Sequence, residues 1–205
     1  SSGVWSAGGA MLINNCDLGG TGTQYAALAI GGANDKDATQ HYDGAAWTLG
    51  GLMINDRVDH GAIGSQNAAL TFGGNPGSSP NLTTATEEYN GFVWSAGGAL
   101  PINKCMPGAA GTQNAGLSVG GKTPTIVATT EEYNGTAWTA VASTNTARAA
   151  LRAVGQQYSA LAMGGYNSSF CACTEEYNGS VWSEVNNLIT PVKYFAAGGS
   201  SGDAF

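Results

Sequence analysis

Short runs in which large apolar residues alternate with small ones recur along the chain: Leu28-Ala29-Ile30, Ala68-Ala69-Leu70-Thr71-Phe72, Leu117-Ser118-Val119 and Ser159-Ala160-Leu161-Ala162-Met163. A period of two puts the bulky side chains on one face of a β-strand and leaves the other face for close approach. Each run stops at a glycine pair, Gly31-Gly32, Gly73-Gly74, Gly120-Gly121 or Gly164-Gly165. A second strand pattern follows, spelled Thr-Glu-Glu-Tyr at 86–89, 130–133 and 174–177, with a drifted copy at Thr39-Gln40-His41-Tyr42. Asn-Gly or Asp-Gly comes next, then a Trp. These dipeptides favour two-residue type I′ hairpin loops, whose central positions both need positive φ, and Tyr and Trp suit the flanking strands. A less regular run, such as His60-Gly61-Ala62-Ile63, precedes a marker that reads Gly22-Thr23-Gln24, Gly64-Ser65-Gln66, Gly111-Thr112-Gln113 or Gly155-Gln156-Gln157. Each unit therefore predicts four short antiparallel strands, with no helical pattern between units.

The units repeat on a fixed beat. Trp5, Trp47, Trp94, Trp138 and Trp182 are all the tryptophans, 42, 47, 44 and 44 residues apart, and Tyr42, Tyr89, Tyr133 and Tyr177 each lie five residues before a Trp. Four-stranded units at such a period predict an all-β fold, the blades of a β-propeller rather than the coils of a solenoid. The chain divides into one propeller domain over 1–205, with repeats at about 6–47, 48–94, 95–138 and 139–182 and a partial unit over 183–205, about 4.5 repeats in all. The partial unit begins at Phe195-Ala196-Ala197-Gly198, and Val4-Trp5 reads as a last strand without its blade. The expectation is a fragment of a longer chain, belonging to a five-bladed ring that wants about 20 more residues or to another ring of 4–8 blades. In a four-stranded meander the first and third turns share one end of the blade. Those turns, Gly-Thr-Gln and Asn-Gly, are short and constant. The second turns (33–38, 75–85, 122–129, 166–173) and the links between units vary, so a binding site is expected on that variable face.

Gly-Gly ending one strand, then Tyr, then Trp five residues on, resembles the kelch repeat, and the match covers essentially the whole chain. The Gly-His and Trp-Asp words of WD40 repeats are absent. The fuller wording Thr-Glu-Glu-Tyr-Asn-Gly-x-x-Trp, with Ala-, Gly- and Thr-rich filling, is similar to kelch-like repeats of phage and bacterial surface proteins. That resemblance implies a phage virion component, such as a tail fibre or capsid decoration, or an extracellular surface protein.

Composition narrows the partners. The net charge is −7 and only 10% of residues are charged, with four Lys and three Arg scattered along the chain. Nucleic-acid binding, which rests on neutralising phosphates, is not expected. No apolar run approaches the ~18 residues of a membrane span, so no membrane insertion is expected. The 32 glycines are about twice the usual share, while charge-poor, Gly/Thr/Asn-rich surfaces suit an extracellular setting. Cys16 and Cys105 occupy matching places in non-adjacent repeats, and Cys171 and Cys173 are separated by one residue, which is poor geometry for a bond between them. Free thiols are the expectation.

Candidate chemistry is sparse. The pairs Glu87/Glu88, Glu131/Glu132 and Glu175/Glu176 recur in three units, whereas an active site is singular, and neighbours on a strand point to opposite faces. They read as structural charges near an outer strand, where charge discourages edge-to-edge pairing. His41 fills a Glu slot and reads as a solvated strand residue. The departures from repetition are the binding candidates: Asp35, Lys36 and Asp37; Asp56, Arg57, Asp59 and His60; Lys122; and Tyr166, which is placed to stack on a sugar. None has the ligand spacing of a calcium loop, so no metal or cofactor is expected. The five tryptophans and four tyrosines are assigned to structure. The expected function is a non-catalytic binding or structural module for a protein or glycan receptor, or for neighbouring copies in an assembly. The alternatives are a propeller hydrolase or oxidase whose site further sequence completes, and an intracellular kelch adaptor gripping a peptide.

Overall fold

The computed structural model describes residues 6–77 and 81–199. Val4-Trp5 and the last residues of the partial unit lie outside them. The described residues form a β-propeller of four blades with no helix. Each blade is a four-stranded antiparallel sheet whose strands lie in chain order. Blade 1 is β1 (Gly19–Thr23), β2 (Ala26–Ile30), β3 (Thr39–Tyr42) and β4 (Trp47–Leu49); blade 2 is β5 (Gly61–Ser65), β6 (Ala68–Phe72), β7 (Thr86–Tyr89) and β8 (Trp94–Ala96). Blade 3 is β9 (Gly108–Thr112), β10 (Ala115–Val119), β11 (Thr130–Tyr133) and β12 (Trp138–Val141); blade 4 is β13 (Arg152–Gln156), β14 (Ser159–Met163), β15 (Thr174–Tyr177) and β16 (Trp182–Glu184).

The glycine pair ends the second strand of every blade, as the pattern predicts. Its first member has φ of 60–64° and its second 94–113°. Such angles are strained for any residue with a Cβ, and a Cβ on Gly73 would also lie 2.6 Å from the Lys104 carbonyl oxygen. The hairpin departs from the predicted type I′ loop. Tyr89 pairs with Trp94, Tyr133 with Trp138 and Tyr177 with Trp182, leaving four residues between. Only the glycine has positive φ (Gly91, 93°). Asn90 stands outside the two central positions, and its Oδ1 accepts the N–H groups of Phe92 and Val93 at 3.0 Å each. The Asn is thus an Asx cap on a Gly-x loop.

Blades join through one repeated joint. Bulky residues of a second strand pack on the Tyr and Trp of the next blade: Leu28 and Ile30 on Tyr89 and Trp94, Leu70 and Phe72 on Tyr133 and Trp138, Leu117 and Val119 on Tyr177 and Trp182. Each of these side chains is at most 7% exposed. Polar bonds fix the joint. Trp94, Trp138 and Trp182 donate their indole N–H to Thr39, Thr86 and Thr130 of the preceding blade at 2.9–3.1 Å. The amides of Gln66, Gln113 and Gln157 donate back to carbonyls of the preceding blade, Ala27 and Tyr42, Ala69 and Tyr89, Gly116 and Tyr133. This is why the marker keeps its Gln.

Except for the exposed Glu176 of blade 4, neither glutamate of the pair is a solvated edge charge. The first lies fully buried inside its own blade, where Glu87, Glu131 and Glu175 pair with Arg57, Lys104 and Arg148. The second bonds the next blade: Tyr133 donates to Glu88 at 2.6 Å and Tyr177 to Glu132 at 2.9 Å. His41 takes that second role in blade 1, with Nε2 2.8 Å from the Tyr89 hydroxyl, rather than facing solvent. Cys171 and Cys173 are bonded, against the expectation of free thiols. The turn curls there, since Cys171 N–H donates to Gly165 and Cys173 accepts from Gly164, bringing the two Cα atoms to 5.3 Å. Cys16 and Cys105 are free.

Candidate binding face and channel mouth

The links and second turns meet at one end of the blades. Met53 and Arg57 N–H groups donate to Asp37 and Lys36 carbonyls, and Leu100 and Thr144 repeat the contact at Thr84 and Ala128. Short bridges, Val58 with Asn75, Cys105 with Lys122 and Ala149 with Tyr166, tie each link to the second turn of its own blade. The variable face is therefore a hydrogen-bonded floor with exposed side chains on it.

The nine candidates divide on this face. Asp56 and Lys122 are exposed, and Asp35, Lys36, Asp37, Asp59 and Tyr166 are partly exposed. Asp35 and Asp37 lie together, and burial followed by the Asp35 contact pushes the Asp37 carboxyl up. Tyr166 forms a separate cluster with Phe170 and Tyr194, where the Lys193 ammonium sits 4.7–5.3 Å from the three ring centres.

Arg57 and His60 are not surface binding residues. Arg57 is 0% exposed, and besides its pair with Glu87 its guanidinium donates to the Gly73 and Ala85 carbonyls at 3.0 Å each. Its position is repeated by Lys104 and Arg148, each seven residues before the marker glycine. Arg148 likewise bonds the Gly164 and Cys173 carbonyls, so this cation is a strut between strand ends. Burial pushes all three cations down, opposed by their glutamates. Blade 1 builds the strut without charge: Asn15 donates to the Gly31 and Asp35 carbonyls, and Gln40 exchanges two bonds with the Ile13 backbone. His60 is 9% exposed and packs edge-on against Gly19 of blade 1, in a slot filled by Leu18, Pro107 and Leu151 in the other blades. Neither ring nitrogen has a hydrogen-bond partner, and burial, then the Arg57 charge, pushes its pKa down to about 3. It is a neutral filler of an apolar slot.

Asp59 leads to an arrangement the sequence reading missed. Asp17, Asp59, Met106, Ala150 and Tyr194 all have φ of 52–55°. Asp59 N–H donates to the Asp17 carbonyl, Met106 to Asp59, Ala150 to Met106 and Tyr194 to Ala150, at 2.7–3.2 Å. These five residues stand in a row around the mouth of the central channel. With Arg152 they line a cavity of about 210 Å³ that leads to one of about 440 Å³ between the inner strands. Burial and the Asp17 charge push the Asp59 carboxyl up, and Arg152 pulls it back. The Tyr194 hydroxyl reaches across to Met106 Sδ at 3.1 Å. A signal was present: each residue lies five positions before a glycine, at Gly22, Gly64, Gly111, Gly155 and Gly199, whose φ is 100–105° in every case. The backbone repeats while the side chain changes from Asp to Asp, Met, Ala and Tyr.

Among the described residues, no group of three or more His, Cys, Asp and Glu is placed to hold a metal. Among them no helix is long and apolar enough to cross a membrane. No protein-family model and no curated protein matches the chain. The four-bladed architecture suggests a binding or structural module.

Proposed function

We propose that this propeller is a non-catalytic binding module of the kelch-like type, carried on a phage virion or another extracellular surface, that recognises a glycan or protein receptor at the mouth of its central channel. The carrying observation is the row of five residues there, one from each of the four blades and Tyr194 after them, alike in φ and carrying Asp, Asp, Met, Ala and Tyr. A binding surface is diversified in this way on a frame that holds its backbone constant. The buried cations are already committed to Glu87, Glu131 and Glu175, so they support the fold rather than a reaction. At the mouth, Asp17 and Asp59 offer acceptors for hydroxyl groups, Arg152 a fork donor, and Tyr194 a ring for stacking. The virion or extracellular setting rests on the wording of the repeat and its charge-poor composition.

A glycan array probed with the parent chain and with D59N, R152A and Y194A tests the reading. Binding by the parent, weakened at least about tenfold in each variant with unchanged melting, is expected. Binding that all three variants retain would move the site elsewhere on the variable face.

A further inference from the structure

The joint seen three times between blades is present in two unjoined halves. On blade 4 the forward face offers Leu161 and Met163, the Thr174 hydroxyl, the Ala160 and Tyr177 carbonyls and the Glu176 carboxylate. Each stands where the preceding blades bond the next one. Leu161 is half-buried although Leu28, Leu70 and Leu117 are at most 1% exposed, and Glu176 is exposed where Glu88 and Glu132 are half-buried. A cleft of about 340 Å³ runs over Ala160, Glu176 and Tyr177. On blade 1 the backward face offers Gln24, Tyr42 and Trp47. Gln24 is exposed and both aromatics are half-exposed, although Tyr89, Tyr133 and Tyr177 are at most 3% exposed. A cleft of about 610 Å³ lies over Gln24 and Tyr42. Trp47 donates to the Gly9 carbonyl instead of a neighbour's threonine.

Between these walls residues 194–199, which form no strand, follow the path of a fifth inner segment. Tyr194 has the φ of the four earlier mouth residues (53°), Gly199 that of the four marker glycines (105°), and Gly165 N–H donates to the Val192 carbonyl as Gly121 does to Arg148. Phe195, Ala196 and Ala197 line the same cavity as the inner strands of blades 1 to 4. We infer that the two walls form a slot for one further blade, filled by a polypeptide segment that adds three antiparallel strands to residues 196–199 and carries the chemistry of this repeat. Toward blade 4 that segment must present a Gln amide, a Tyr hydroxyl and a Trp indole, for the Ala160 and Tyr177 carbonyls, Glu176 and Thr174. Toward blade 1 it must present two bulky apolar residues, a Thr and a carboxylate, for Trp47 and Tyr42. This is β-strand addition with specificity set by side chains on the added faces. It is independent of any ligand at the channel mouth.

The segment Thr112–Val141 of blade 3 carries all of these groups, and Gly111 is the counterpart of Gly199. The test uses a synthetic peptide of residues 112–141 added to the full chain, and a graft of the same residues directly after Gly199. Expected are binding of the peptide, a higher melting temperature for the graft and slow hydrogen exchange across the grafted strands. T174V and E176Q should weaken peptide binding at least about tenfold and lower the graft's melting point more than the parent's. An unprotected graft together with a peptide that does not bind overturns the inference. So does a chain that dimerises through Gln24 and Glu176 and refuses the graft, since a second copy is then the occupant.

Discussion

Removing the buried charge on Glu87 should destabilise the fold far more than any substitution on the variable face. Glu87 is 0% exposed and accepts from the Ile54 and Asn55 N–H groups at 2.7 and 3.1 Å, from the Asn55 side chain at 3.0 Å and from Arg57. Glu87→Gln keeps the shape and leaves the Arg57 guanidinium in the interior without a counter-charge. Breaking one partner of such a pair costs about 3–5 kcal/mol. Against a total stability of about 5–15 kcal/mol this is a large fraction. With a urea slope near ~2 kcal/mol/M it lowers the midpoint by about 2 M. Blade 1 shows that the strut also works neutral, with Asn15 and Gln40 at the equivalent places. The double variant Arg57→Asn/Glu87→Gln should therefore recover most of the loss, with a coupling of at least about 2 kcal/mol in the cycle. Urea denaturation of parent, singles and double reads this directly. A Glu87→Gln cost under about 1 kcal/mol, or a double variant as poor as the sum of its singles, would refute the reasoning.

Trp94→Ala and Trp138→Ala should each cost about 3–5 kcal/mol, since both rings are 7% exposed and each indole bonds a threonine of the preceding blade. Trp47→Ala, from a half-exposed ring, should cost less than half as much in the same denaturation series, and equal costs would contradict the difference in burial. His60 is held neutral with a pKa of about 3, while in the unfolded chain it returns to about 6.5. The unfolded state therefore binds more protons between those values. This contribution to stability is complete above pH ~6.5 and declines as pH falls toward 3, by at most about 1.4 kcal/mol per unit. His60→Leu, the residue of blades 1 and 4 at that place, should be more stable than the parent at pH 5 and flatten the profile from pH 7 to 4.5. An unchanged slope would show that His60 is charged in the fold.

The strands, their order and the blade count per repeat were legible because they depend on residues within about 45 positions that recur in identical words. Leu-x-Ile alternation, the glycine pair and the Tyr to Trp spacing report local geometry directly. Arg57 was misread because a charged residue in a polar link looks solvated unless its partner is identified, and Glu87 lies 30 positions away in strand β7. His60 was misread because a histidine in such a link looks solvated although here it fills an apolar slot. The means of finding it was in the repeats: Arg57, Lys104 and Arg148 share one slot, Glu87, Glu131 and Glu175 another, and only in blade 1 do both become neutral together, as Asn15 and Gln40.

That pairing separates two kinds of variation within the repeats. At the strut a change in one slot is matched by a change in the other, because an unmatched charge in the interior would be costly. At the channel mouth Asp17, Asp59, Met106, Ala150 and Tyr194 carry four different kinds of side chain with no matching change in the frame; their φ angles agree within three degrees. Packing accounts for Ala150, which is 2% exposed, and leaves the more exposed Asp17, Asp59 and Tyr194 free to vary in chemistry. On the proposed reading, substitutions at Asp17, Asp59 and Tyr194 should alter binding while leaving the melting temperature in place.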